Sequence, residues 1–90
     1  MVAELTPQLI KEAKPKPSAP YYIMDTITKG FNIRVYPGGR KVYSLRYRDA
    51  KGKARALVIG ECERYPLKVA REDVAKMMKR INAGLDPDQY

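Results

Sequence analysis

Three stretches of the chain alternate apolar and polar residues with a period of two. From Phe31 to Tyr36 the apolar side chains fall at Phe31, Ile33 and Val35, with Asn32, Arg34 and Tyr36 between them. Tyr43, Leu45 and Tyr47 alternate with Val42, Ser44, Arg46 and Arg48, and Leu57 and Ile59 alternate with Ala56, Val58 and Gly60. Successive side chains of a strand point to opposite faces, so the pattern predicts half-buried antiparallel strands. Pro37-Gly38-Gly39 predicts the first turn, and Asp49-Ala50-Lys51-Gly52-Lys53 the second. Tyr21-Tyr22-Ile23-Met24 is short and β-prone, and is available as an extra edge strand.

The period changes after Pro66. Leu67, Ala70, Val74, Met77, Met78 and Ile81 recur at spacings of three and four, which predicts an amphipathic helix over residues 66–83. Lys79 and Arg80 suit its negative end, Gly84 suits the residue just past it, and Asp86-Pro87 prevents it from resuming. One apolar sheet face and one apolar helix stripe bury each other. The expected fold is α+β: a three-stranded antiparallel sheet packed on one C-terminal helix. Upstream, Thr6 as N-cap and Pro7 at the first helical position predict a short helix. Lys14-Pro15-Lys16-Pro17-Ser18-Ala19-Pro20 then enforces an extended path, as a tether or a strap along the domain. The chain therefore divides into a short helix and Pro-rich strap (1–20), the folded domain (21–87) and a tail (88–90).

This arrangement decides which side chains meet solvent. With Phe31, Ile33, Val35, Tyr43, Leu45, Tyr47, Leu57 and Ile59 on the helix, the open face carries Asn32, Arg34, Tyr36, Ser44, Arg46, Arg48, Ala56 and Val58. Lys51, Lys53 and Arg55 rim it from one turn, and Arg40 and Lys41 from the other. Charge sharpens the picture. The chain has 18 Lys and Arg against 10 Asp and Glu, a net of +8. The stretch Lys29–Ala56 holds nine basic residues and one acid, Asp49, so it carries the whole excess. A positive field concentrated in this way suits a polyanion. A three-stranded sheet face is narrow enough for a major groove about 12 Å wide, where arginine and asparagine address guanine and adenine edges. Loop lysines neutralise phosphates.

The remaining composition excludes classes. There is no histidine and a single cysteine, Cys62, so the usual general base, the Cys–His nucleophile pair and an internal disulfide are all lacking. No catalytic residue, metal site, cofactor or small-molecule substrate is expected. No apolar run reaches the roughly 20 residues that span a bilayer, no signal peptide opens the chain, and the single cysteine suits a reducing compartment, so a cytoplasmic location is expected.

At this level of detail the chain resembles the N-terminal arm-type DNA-binding domain of phage and genomic-island integrases, which are tyrosine recombinases. The resemblance rests on Met24-Asp25 leading into Lys29-Gly30-Phe31-Asn32-Ile33-Arg34-Val35, on Pro37-Gly38-Gly39-Arg40-Lys41, and on Leu45-Arg46-Tyr47-Arg48. Leu57-Val58-Ile59-Gly60, Pro66-Leu67-Lys68-Val69-Ala70-Arg71 and Ala83-Gly84-Leu85-Asp86-Pro87 complete it. It departs from the family pattern at Pro66, where a serine or threonine cap is usual, and at Cys62-Glu63-Arg64, where the family link is shorter. The resemblance implies recognition of arm-type sites on double-stranded DNA in support of site-specific recombination by a phage, prophage or other mobile element. It further implies other integrase protomers as partners and a catalytic domain elsewhere in a longer parent protein. Two other readings fit the same pattern: a sheet-face transcription factor of the plant ethylene-response or methyl-CpG type, and a protein-interaction module within a recombination complex. An RNA-binding module should place stacking aromatics on the open face, and parity puts only Tyr36 there.

Overall fold

The computed structural model describes residues 1–87, and the expected tail at 88–90 lies outside them. The alternating stretches form antiparallel strands as predicted: β3 (Phe31–Val35), β4 (Lys41–Arg48) and β5 (Ala54–Glu61). The sheet, however, has five strands in the order β1-β2-β3-β4-β5, not three. The expected extra edge strand is a full member, β2 (Tyr21–Asp25), which pairs with β3 from Tyr21↔Val35 to Met24↔Asn32. Outside it, β1 (Val2–Ala3) runs parallel to β2 and becomes the true edge. Two residues carry no periodicity, so β1 leaves no signature in the sequence.

Side-chain bonds hold β1 and the segment after it in place. Asp25 is buried at the end of β2, where its Oδ1 accepts the Leu5 N–H at 3.0 Å and its Oδ2 the Thr28 N–H at 3.0 Å. Arg71 on the helix donates through Nη2 to Asp25 Oδ1 at 3.2 Å and to the Leu5 carbonyl at 2.9 Å. One carboxylate thus joins the N-terminal segment, the β2–β3 turn and the helix. Burial alone would raise its pKa, but the Leu5 and Thr28 N–H groups and the Arg71 charge together lower it.

The N-terminal helix is present as α1 (Pro7–Glu12), and Thr6 caps it by accepting the Leu9 N–H at 3.1 Å. The C-terminal helix, α2 (Leu67–Asn82), starts one residue after Pro66, which stands at the cap position without a side-chain bond. Its far end closes as a Schellman motif: Leu85 N–H bonds to Arg80 O and Gly84 N–H to Ile81 O, with Gly84 at φ +79°. Leu67, Ala70, Val74 and Met77 of α2 are buried against Ile23, Phe31, Ile33, Val35, Tyr43 and Leu45. Leu5 and Ile10 extend this core toward α1.

Two glycines set the sheet geometry. Gly30 has φ +85°, and a Cβ on it would lie 2.1 Å from the Arg46 carbonyl oxygen, because Arg46 N–H bonds to Gly30 O at 2.8 Å. Gly60 marks a correction. Pairing passes from Tyr43↔Gly60 to Ser44↔Val58, which leaves Ile59 as an extra residue in a bulge. A bulge reverses parity beyond it, so Gly60 stands on the helix side rather than the open face. There a Cβ would meet the Tyr65 ring at 3.0 Å.

Candidate nucleic-acid interface

The face away from α2 is built by register. Tyr22 of β2 stands opposite Arg34 of β3, Arg34 opposite Val42 of β4, and Arg46 opposite Ala56 of β5. Arginine and tyrosine alternate across it. The Arg46 guanidinium carbon lies 5.6 Å from the centre of the Tyr22 ring, and that of Arg34 lies 4.8 Å from the same ring. Arg34 is also 5.9 Å from the Tyr36 ring and donates from Nη1 to its hydroxyl at 3.1 Å, while Arg40 lies 5.7 Å from that ring. Cations over aromatic faces attract at such distances. The bond to Tyr36 is the main reason that the Arg34 pKa rises further above its ordinary value. Arg34 Nε is buried without a hydrogen-bond partner among the described residues.

The expected site residues divide into groups. Arg46 and Arg48 are exposed on the face, and Arg34 and Tyr36 are half-buried within it. Arg48 is steadied by a 2.9 Å bond from Nη1 to the Gly52 carbonyl. Lys51 and Lys53 are exposed on the β4–β5 turn. That turn is tied by Asp49, whose Oδ1 accepts the N–H groups of Lys51 and Lys53, both at 2.9 Å. The Lys53 N–H is the leading cause of the lowered Asp49 pKa, followed by Arg55. Arg40 keeps its place on the rim but pairs with Glu61 at 2.7 Å.

Four residues lie elsewhere than expected. Asn32 and Ser44 point toward the open face but are fully buried. Ser44 Oγ donates to Asn32 Oδ1 at 3.1 Å, and Asn32 Nδ2 donates to Gly30 O at 3.0 Å. Tyr22, Arg34 and Arg46 are their neighbours on this face, and such long side chains reach over small ones. Lys41 pairs with Val35 on the helix side, and its Nζ donates to the carbonyls of Ile10 at 2.7 Å and Lys11 at 3.3 Å. It therefore closes the C-terminal end of α1 instead of rimming the face. Arg55 pairs with Tyr47, also on the helix side, and bonds Asp49 at 3.1 Å. Tyr22 is the residue that sequence reasoning missed. Its signal was available in the alternation of Tyr21, inward beside Val35, with Tyr22, outward beside Arg34.

Two aromatics, not one, thus stand on the open face among the described residues, and both rings are approached by guanidinium groups. Among the described residues no cluster of three or more His, Cys, Asp or Glu side chains could hold a metal, and no helix is long and apolar enough to cross a membrane.

The sheet face away from α2 is thus basic and bears arginines and tyrosines in alternation. Comparison with known proteins gives the family. A family model described as "Arm DNA-binding domain" matches residues 5–90. An integrase of Shigella phage Sf6 and the prophage integrase IntS of Escherichia coli K12 are each 36% identical over 83 residues, covering 92% of this chain and 20% of theirs. The chain belongs to the arm DNA-binding domain family. It spans about a fifth of the length of the curated relatives it matches.

Proposed function

We propose that the domain binds arm-type sites on duplex DNA by inserting its open sheet face into the major groove, within a longer integrase that carries the catalytic residues. Arg46, Arg48 and the fork of Arg34 address base edges. Lys51, Lys53 and Arg40 take phosphates, and Tyr22 and Tyr36 position the arginines. Asn32 and Ser44 support the face from beneath it rather than touching bases. Other integrase protomers assemble beside it on the recombining DNA.

The observation that carries this reading is the run Arg46–Tyr22–Arg34–Tyr36–Arg40, which sets guanidinium groups across an open face in the most basic part of the chain. It also weighs against an RNA-stacking module, since the tyrosine rings are already engaged by arginines. Titration of the domain with duplex DNA, single-stranded RNA and an acidic protein tests it. Duplex binding should be tightest and should weaken steeply with salt. Equal or tighter binding of single-stranded RNA or of the acidic protein would refute it.

A further inference from the structure

On the open face, β4 and β5 present two adjacent columns of different chemistry. Ser44, Arg46 and Arg48 stand on β4, directly opposite Val58, Ala56 and Ala54 of β5. The β5 column ends only in methyl groups. Val58 is 54% exposed, and Ala54 and Ala56 are exposed as well. A single exposed valine is ordinary. Three successive outward positions of an edge strand without a polar atom are less so, since such edges are commonly protected by charged side chains, especially lysine. Cations flank this column, with Arg46 and Arg48 alongside it and Lys51 and Lys53 at the adjoining turn. The surrounding charge selects a polyanion as occupant, and the apolar strip selects a polyanion that displays methyl groups. Duplex DNA does so at one place in the major groove, the C5-methyl group of thymine, close to the acceptors that arginine forks take.

We propose that Val58, with Ala56 beside it, reads the C5-methyl group of thymine next to a base edge addressed by Arg46. The inference rests on the sheet-face reading above and adds to it a specificity-determining stretch of β5, Ala54 to Val58, without hydrogen-bonding side chains on this face; Glu61 follows beyond the bulge, where it is paired with Arg40.

The test begins by selecting preferred sites for the full 90-residue chain from a randomised duplex library. Each thymine of the selected site is then replaced by deoxyuracil, which keeps every hydrogen-bonding group and removes one methyl. At one or two positions binding should weaken about fourfold, the effect of losing one buried methyl-sized contact. In Val58→Ala the same replacement should cost less than about twofold. Because Val58 is exposed, this variant should keep the wild-type melting temperature, and the uracil series on the unaltered protein needs no variant at all. A selected site without thymine, or one in which every thymine tolerates uracil, overturns the inference while leaving DNA binding intact. So does a uracil penalty that persists unchanged in Val58→Ala. Failure to prefer any duplex over random DNA overturns the sheet-face reading and this inference with it.

Discussion

Replacing Asp25 by alanine should loosen the N-terminal segment, the β2–β3 turn and α2 from one another and destabilise the domain. The carboxylate accepts two backbone N–H groups and one guanidinium, so its removal strands three donors in unequal surroundings. Leu5 is fully buried, and its N–H has no access to water, which costs about 1–3 kcal/mol. Thr28 is half-buried and can take a water in compensation. The Arg71 side chain is 29% exposed and keeps its bond to the Leu5 carbonyl, so its loss falls below the roughly 3–5 kcal/mol of a fully buried broken pair. The sum is about 3 kcal/mol, a large part of the roughly 5–15 kcal/mol available to a small domain. For a chain of this size it lowers the melting temperature by more than about 10 °C. Urea and thermal unfolding at neutral pH measure it directly. Asp25→Asn keeps one acceptor and should fall between the two. The pH dependence has a definite sign. The folded-state pKa of Asp25 lies below its unfolded value, so its contribution is complete above the unfolded pKa, near 4, and fades as pH falls through the folded one. Asp25→Asn should flatten that acid limb, whereas Asp49→Asn, at an exposed turn, should change it little. An unchanged urea midpoint in Asp25→Ala, or an unaltered acid limb in Asp25→Asn, would show that the carboxylate does not hold these segments together.

Gly30→Ala should destabilise the domain by at least about 2 kcal/mol in urea unfolding, since it places a Cβ against the Arg46 carbonyl at a positive φ. Lys51→Ala should weaken specific and random duplex binding alike and lower the slope of log K against log salt by about 0.9. Arg46→Ala should cost roughly 1–3 kcal/mol on a selected site and less on random DNA, so the specificity ratio measured by competition falls. Burial pushes the Cys62 thiol up to about 11. Its alkylation at pH 8 should therefore be at least about tenfold slower in the folded domain than in urea, and equal rates would contradict that environment.

Much of this architecture was legible because the physics that forms it is local. Alternation set the inner and outer faces of β3 and β4, the three-four spacing set the stripe of α2, and Thr6-Pro7 announced α1. What escaped depends on partners distant in sequence. β1 exists because Asp25 and Arg71 hold the segment beside it, and no pattern within two residues could reveal that. The bulge at Ile59 reversed the side on which Gly60 stands, and a period-two count has no means of registering an inserted residue. At the candidate interface, parity gave the direction of Asn32 and Ser44 but not their depth. Depth depends on how the side chains around a position lie over it, which a period-two count does not register. Lys41 and Arg55 share the parity of Tyr43 and Leu57, so the alternation itself, carried to the strand ends beside the turns, puts them on the helix side.

The alternating arginines and tyrosines of the open face bear on what recognition would cost. An arginine free in solvent surrenders up to about 2 kcal/mol of rotamer freedom when a complex fixes it. Arg34, held between Tyr22 and Tyr36, has given up much of that freedom when the chain folds, so less remains to be lost on contact with DNA. The same stiffness has a second side. On the proposed sheet-face reading, forks held at fixed separations would not stretch to meet bases at other separations, and the face would act as a ruler for acceptor pairs at the spacing that its tyrosines impose.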